Sequence, residues 1–228
     1  MKGKFFAVGV GPGDPELLTL KAISTIKESQ IIAVPKSGGS DNIALKIARP
    51  YIGEKEVLEC DMPMIKDREQ LNRYHDRSAE TIGRFLDSGK TVAFLTLGDP
   101  AIYSTVMYVH RRLTEKGYDT AMVPGVPSFC GAAASLNVSL CERDETLHII
   151  PATFKGEEAA SLTGTRVLMK SGKTIMEQKE RLTEKKAMMV ECATMENERI
   201  YRDLDELQEP SSYFSLIVIP AEDRKKER

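Results

Sequence analysis

Apolar and polar positions run along the chain in blocks whose period switches between that of a strand and that of a helix. Residues 4–10, KFFAVGV, form a short apolar run ending in glycines and read as a strand. In 15–29, Leu17, Leu18, Ala22, Ile23 and Ile26 recur at helical spacing, so a helix is expected there. QIIAVPK (30–36) predicts a second strand. DNIALKIARPYI then predicts a helix from Asp41, a residue type that caps helix N-termini. A third strand falls at 55–60. The charged segment 66–88 carries Leu71, Tyr74, Ile82, Phe85 and Leu86 on a helix that stops at Gly89. KTVAFLTL (90–97) is apolar without interruption, the pattern of a strand buried on both faces. The chain turns at Gly98, runs as a helix to Gly117 and returns as a strand at 119–124.

Such alternation predicts a largely parallel sheet with helices packed over it, and in such sheets ligands gather at the carboxyl ends of the strands. Two glycine-bearing turns, 9–14 and 98–100, lie at ends of that kind. After the small-residue helix in PGVPSFCGAAASLNVSL, the pattern changes at 141–146. Strands are expected at 147–152, 165–170, 186–193 and 213–220, with helical segments at 172–184 and 202–208. The fold class read from this pattern is α/β in two domains, 1–143 and 144–228. The tail AEDRKKER is read as solvated.

Composition narrows the function classes. A net charge of −2, with 29% charged and 41% apolar residues, describes an ordinary globular protein and offers no basic excess for nucleic acid. No apolar run approaches a membrane span, and the apolar stretch in MKGKFFAVGV is too short for a signal sequence. Cys60, Cys130, Cys141 and Cys192 are widely separated, as reduced thiols of a cytoplasmic protein would be. His75, His110 and His148 form no paired ligand motif, so no protein-held metal is expected.

The first glycine loop, AVGVGPGDPELLTLKA, carries Gly9, Gly11 and Gly13 at alternate positions. It fails as a dinucleotide fingerprint, because counting from Gly9 puts Asp14 where the third glycine belongs. It fails as a P-loop as well. No Gly-Lys-Ser/Thr closes it, Pro12 removes a backbone N–H, and Asp14 would repel phosphate. Two readings remain, a tight turn without ligand and a turn that serves a non-phosphate ligand. In the second turn Asp99 is either a helix N-cap or a site residue. In the third, Gly131, Ala132, Ala133 and Ala134 admit either a flat ligand or a close helix–sheet contact.

Together, G-x-G-P-G-D-x-x-L-L-T-L, L-G-D-P and V-P-G-x-x-S-F resemble the tetrapyrrole (corrin and porphyrin) methylase family, from residue 5 to about 219. TLGDPAIYST, VPGVPSFCGAAA and RVLMKSGK look most like its precorrin-2 C20-methyltransferase branch. The resemblance implies two α/β domains, unlike the Rossmann-type methyltransferases, with S-adenosylmethionine in the cleft between them, and a homodimer. Carried over residue by residue, it implies cofactor contacts at Pro12, Gly98, Asp99, Ile102, Pro127, Ser128, Met169, Lys170, Ala193 and Ser215. Proline stands at 127 where many relatives carry a hydroxyl, so no side-chain hydrogen bond is expected there. The acceptor would be an electron-rich ring carbon of a reduced tetrapyrrole, cobalt-bearing or not, and transfer needs positioning rather than a dedicated base. Tyr103 and Ser104 are candidates for that positioning, the alternative for Tyr103 being packing in the core. Lys36, at a strand's carboxyl end, is the candidate cation for the substrate carboxylates; Arg73 and His75 are either rim residues or, the reading preferred, helix surface, and the cluster His110–Arg111–Arg112 reads as a solvated helix face. Related activities stay open: methylation of another ring carbon, diphthine synthesis, or a binding module whose turns hold a nucleotide without turnover.

Overall fold

The computed structural model describes residues 2–36, 42–151, 162–170 and 175–222. The chain divides into two compact units, Met1–Pro127 and Ser128–Arg228.

In the first unit β1 (Lys4–Gly9), β2 (Ile31–Lys36), β3 (Glu56–Asp61), β4 (Val92–Thr96) and β5 (Asp119–Val123) form a sheet in the order β3-β2-β4-β1-β5. Every pairing is parallel. As its uninterrupted apolar sequence predicts, β4 is buried throughout. Helices α1 (Leu20–Glu28) and α2 (Ile43–Ile52) cover one face. Their Ala22, Ile26, Ala44, Ile47 and Ile52 pack with Val8, Ile32, Val34 and Leu95 of the strands. Helices α3 (Arg68–Asp87) and α4 (Val106–Glu115) cover the other, setting Ala79, Ile82, Leu86, Val109 and Leu113 against Phe5, Ile31 and Phe94.

Local chemistry sets where these helices begin. The expected helix over 15–29 is split. Asp14 accepts from the Glu16 N–H and opens a 3-10 turn, Pro15–Leu17, after which Thr19 caps α1 by accepting from Ala22 N. The spacing of Leu17 and Leu18 is therefore that of a turn and a cap, not of the helix. Asp67 caps α3. Asp41 lies outside the described residues, and Asn42 caps α2 through its side-chain oxygen, which accepts from Leu45 N. The helix expected straight after Gly98 starts only at Val106, because Asp99 and the residues after it form turns.

The second unit opens with α5 (Ser128–Leu136), which packs on β8 and β10 of its own sheet. The observed division thus precedes this helix, whereas the sequence pattern placed it after residue 143. Its sheet, in the order β6-β7-β10-β8-β9, comprises β6 (Leu147–Pro151), β7 (Thr165–Met169), β8 (Met188–Glu191), β9 (Arg199–Tyr201) and β10 (Ser215–Ile219). Only β6 and β7 pair in parallel; β10 is antiparallel to β7 and β8, and β9 to β8. Helix α6 (Ile175–Glu184) and a 3-10 turn, Leu204–Glu206, cover the face carrying Ile150, Leu168, Met189 and Ile217. The edge strand β9 escaped the sequence pattern, and the helical segment over 202–208 contracts to that 3-10 turn. The tail from 223 lies outside the described residues. No described helix is long and apolar enough to cross a membrane.

Candidate functional site

Neighbouring strands β1 and β4 send their chains to opposite faces of the first sheet, β1 into α1 and β4 into α4. That divergence is the switch point where open α/β sheets bind ligands. Three turns meet there, following β1, β4 and β5. Gly11 and Gly98 form an isolated antiparallel bridge, with Gly98 N–H donating to Gly11 O at 2.8 Å and Gly11 N–H to Gly98 O at 3.3 Å. A Cβ on Gly125 would lie 2.2 Å from Gly98 O and 2.8 Å from the Gly9 carbonyl carbon. One on Gly9 would lie 2.6 Å from both Gly125 N and Gly98 O. Gly9 of the first loop therefore serves close backbone packing against Gly98 and Gly125.

Asp99 locks this arrangement. Its Oδ1 accepts from Ala101 N at 2.8 Å and its Oδ2 from Gly125 N at 3.0 Å. The first bond is the N-cap-like turn expected from sequence; the second ties the β4 turn to the β5 turn. With both oxygens aimed at backbone, what the Gly98–Asp99 turn presents outward is main chain. Ile102 N–H closes the turn on Asp99 O. Pro12 is buried, and Pro127 and Ser128 are half-buried where the first unit ends and α5 begins. Tyr103 is 49% exposed and holds a left-handed backbone at φ 47°, so it does not pack in the core. Ser104 Oγ and Thr96 Oγ1 share a hydrogen bond of 2.7 Å, fixing Ser104 against the end of β4.

Lys36 stands at the carboxyl end of β2, and its Nζ pairs with Glu59 Oε2 of β3 at 2.8 Å. The hydrogen bond and charge of Glu59 hold its pKa above the ordinary lysine value. His75 corrects the surface reading. It is buried between α3 and α4, stacked on Tyr108 with ring centroids 4.7 Å apart, and its Nδ1 has no partner among the described residues. The reason is helical phase, which turns His75 inward with Ala79 and Ile82. Arg73, by contrast, is exposed and pairs with Glu69. The other half of the surface reading holds only in part: Arg112 bonds Asp76 and Asn72 on α3, and His110 lies edge-on to Phe5.

In the second unit, β7 and β8 both run antiparallel to β10 between them, so their carboxyl ends meet the start of β10. Met169, Lys170, Ala193 and Ser215 gather at that one edge. Met169, Ala193 and Ser215 are buried; Lys170 is exposed, at φ 64°, with Nζ 5.5 Å from the Tyr213 ring centre. Ser215 Oγ donates to Ser212 O at 2.7 Å, and Glu191 Oε1 accepts from Ser212 N at 2.6 Å. Ser211 has a buried hydroxyl without a partner among the described residues. Sequence reasoning missed Gly125, Glu191 and Glu198. Gly125 meets Asp99, Glu191 meets Ser212 and Glu198 meets Ser135, partners 21 to 63 residues away that no local spacing announces. Cys60 of β3 is buried, and loss of hydration pushes its thiol up to about 11, which keeps it inert near neutral pH.

Residues 4–208 match the family of Tetrapyrrole (Corrin/Porphyrin) Methylases. The chain belongs to this family. Among curated relatives, it is 37% identical over 95% of both chains to a "probable cobalt-precorrin-2 C(20)-methyltransferase" of Methanocaldococcus jannaschii. It is 32% identical to the cobalt-precorrin-2 C(20)-methyltransferase of Salmonella typhimurium, covering 96% of this chain and 97% of that one. A solved cobalt precorrin-4 methyltransferase of cobalamin biosynthesis shares the fold, with a TM-score of 0.74 at 21% identity over 95% of this chain and 94% of that one. This tetrapyrrole methylase thus pairs an all-parallel sheet with a mixed one, and the glycine turns belong to the first.

Proposed function

We propose that this tetrapyrrole methylase is an S-adenosylmethionine-dependent C20-methyltransferase acting on precorrin-2 or its cobalt-bearing counterpart in cobalamin biosynthesis. The observation that carries the reading is 37% identity over 95% of both chains to a relative described with that activity. The donor chemistry agrees with it. At the first sheet the turns offer main chain and apolar side chains, and at the second they offer buried small residues with the unpartnered Ser211 hydroxyl. This suits a cofactor made of a nucleoside, an amino acid and a sulfonium.

On this reading Pro12, Gly98, Asp99, Ile102, Pro127 and Ser128, with Met169, Lys170, Ala193 and Ser215, hold the cofactor. When bound, it supplies an electrophilic methyl group. Asp99 contributes by fixing the turns whose main chain meets the ligand, and Tyr103 and Ser104 orient the acceptor. Lys36 meets a substrate carboxylate by exchanging its partner Glu59, an exposed pairing that competes weakly. Because transfer to an electron-rich carbon needs alignment and a dry site, no acid–base pair is assigned.

Purified protein titrated with S-adenosylmethionine, then given precorrin-2 or cobalt-factor II, is expected to bind saturably and add one methyl at C20. Mass spectrometry and NMR of the product read the position. No binding and no transfer to either acceptor would sink the proposal, and a methyl at another ring carbon would reassign it to a sister reaction. Light scattering tests the homodimer that belongs to the same reading.

A further inference from the structure

The turn after β8 holds Ala193 between two residues in the left-handed region, Cys192 at φ 52° and Thr194 at φ 62°. For a β-branched residue such as Thr194 this conformation is an outlier, and it persists only where the surroundings over-determine it. Glu198 supplies much of that determination. Its Oε1 accepts from Thr194 N at 2.6 Å and also from Ser135 Oγ at 2.6 Å. One carboxylate oxygen thus joins the Ala193 turn to the last turn of α5, the helix that begins at Ser128. Met195 N–H donates to Cys192 O at 2.9 Å and Glu198 N–H to Met195 O at 3.0 Å, so the segment folds back and delivers the carboxylate to Thr194. Ala193 itself is 3% exposed. Its methyl group has little to offer a ligand, and what the turn presents is set by its backbone angles.

We propose that Glu198 is a positioning residue for the methyl-donor site. It acts through Thr194 N–H to hold the strained turn and through the Ser135 hydroxyl to keep α5 in register with it. The proposal rests on the reading of Ala193 and Ser128 as cofactor contacts. A charge-assisted acceptor suits the task, because such bonds are short and strong and do not depend on packing alone.

Calorimetric titration of the full chain with S-adenosylhomocysteine, the demethylated cofactor, tests this without turnover. Glu198→Ala is expected to weaken binding by about tenfold or more while the protein stays folded by circular dichroism. Glu198→Gln keeps an acceptor oxygen and is expected to lose less. Thr194→Gly removes the strain, since glycine adopts φ near 60° freely. The double variant Thr194→Gly/Glu198→Ala is therefore expected to bind more tightly than Glu198→Ala but more weakly than Thr194→Gly alone, because the link to Ser135 stays cut. Unchanged binding by Glu198→Ala overturns the proposal, and so does a double variant as weak as Glu198→Ala. Should Glu198→Ala not fold, Glu198→Asp replaces it, its shorter arm reaching one partner only; weakened binding supports the role and wild-type binding overturns it. If the unaltered protein fails to bind, the cofactor reading falls and this proposal with it.

Discussion

Asp99 commits both carboxylate oxygens to main-chain N–H groups, those of Ala101 and Gly125, so its contribution at the site is architectural. Asp99→Ala should lower stability by about 1.5–3 kcal/mol, the range for hydrogen bonds to charged groups, measured by urea unfolding. Two glycines separate packing from conformation. Gly125→Ala meets backbone at 2.2 Å and should abolish cofactor binding or folding outright. Gly117→Ala sits at φ 77° with nothing within 4 Å of its new Cβ and should cost only about 1–2 kcal/mol of left-handed strain, leaving binding intact. Equal effects from the two would show that close approach is not the reason for glycine at 125. Asp99 as a turn residue was legible from L-G-D-P, because an aspartate before a proline has a local task. The Gly125 contact was not, because it depends on β1, β4 and β5 lying side by side.

Helices α3 and α4 carry a pH response. Burial holds the His75 pKa below its ordinary value of 6.5, the Arg112 charge lowers it further, and Asp76 opposes both. Burial also lowers His110. The unfolded chain therefore takes up protons first as pH falls. This part of the stability is complete above the ordinary value and is lost as pH drops through it toward the lowered native one. Between about pH 7 and 5 the urea midpoint should fall, and His75→Gln should flatten that slope; a variant as steep as the parent would contradict this. The α3 pattern predicted the helix correctly but left His75 on its surface. Periodicity locates an apolar stripe, and a histidine within the stripe becomes buried only when a neighbouring helix supplies a ring such as Tyr108 to stack on. In the same way, the spacing of Leu17 and Leu18 looked helical, yet capping by Thr19 decided where α1 begins.

At the scale of the whole chain, each unit carries its share of the candidate residues at the carboxyl edge of its own sheet. On the proposed reading, ligand binding couples to stability. S-adenosylhomocysteine at about a hundred times its Kd should stabilise the protein by about 2.7 kcal/mol, read as a rise in Tm. A structure of the complex should place ligand atoms beside both Asp99 and Ala193, and a ligand remote from both would overturn the site assignment. The two α/β domains and the family were legible from strand–helix alternation and from three motifs. The division before α5 was not, since a small-residue helix packs equally well on either sheet when judged by composition.

What the sequence determined alone is what local chemistry controls: strands from apolar runs, helices from their periodicity, and turns from glycine, proline and aspartate. The tertiary structure decided which distant groups meet. It brought Gly9, Gly98 and Gly125 into backbone contact, stacked His75 on Tyr108, and joined Glu198 to Ser135. Such pairings are set by the order of strands in a sheet and the packing of helices over it. No window of neighbouring residues contains that information.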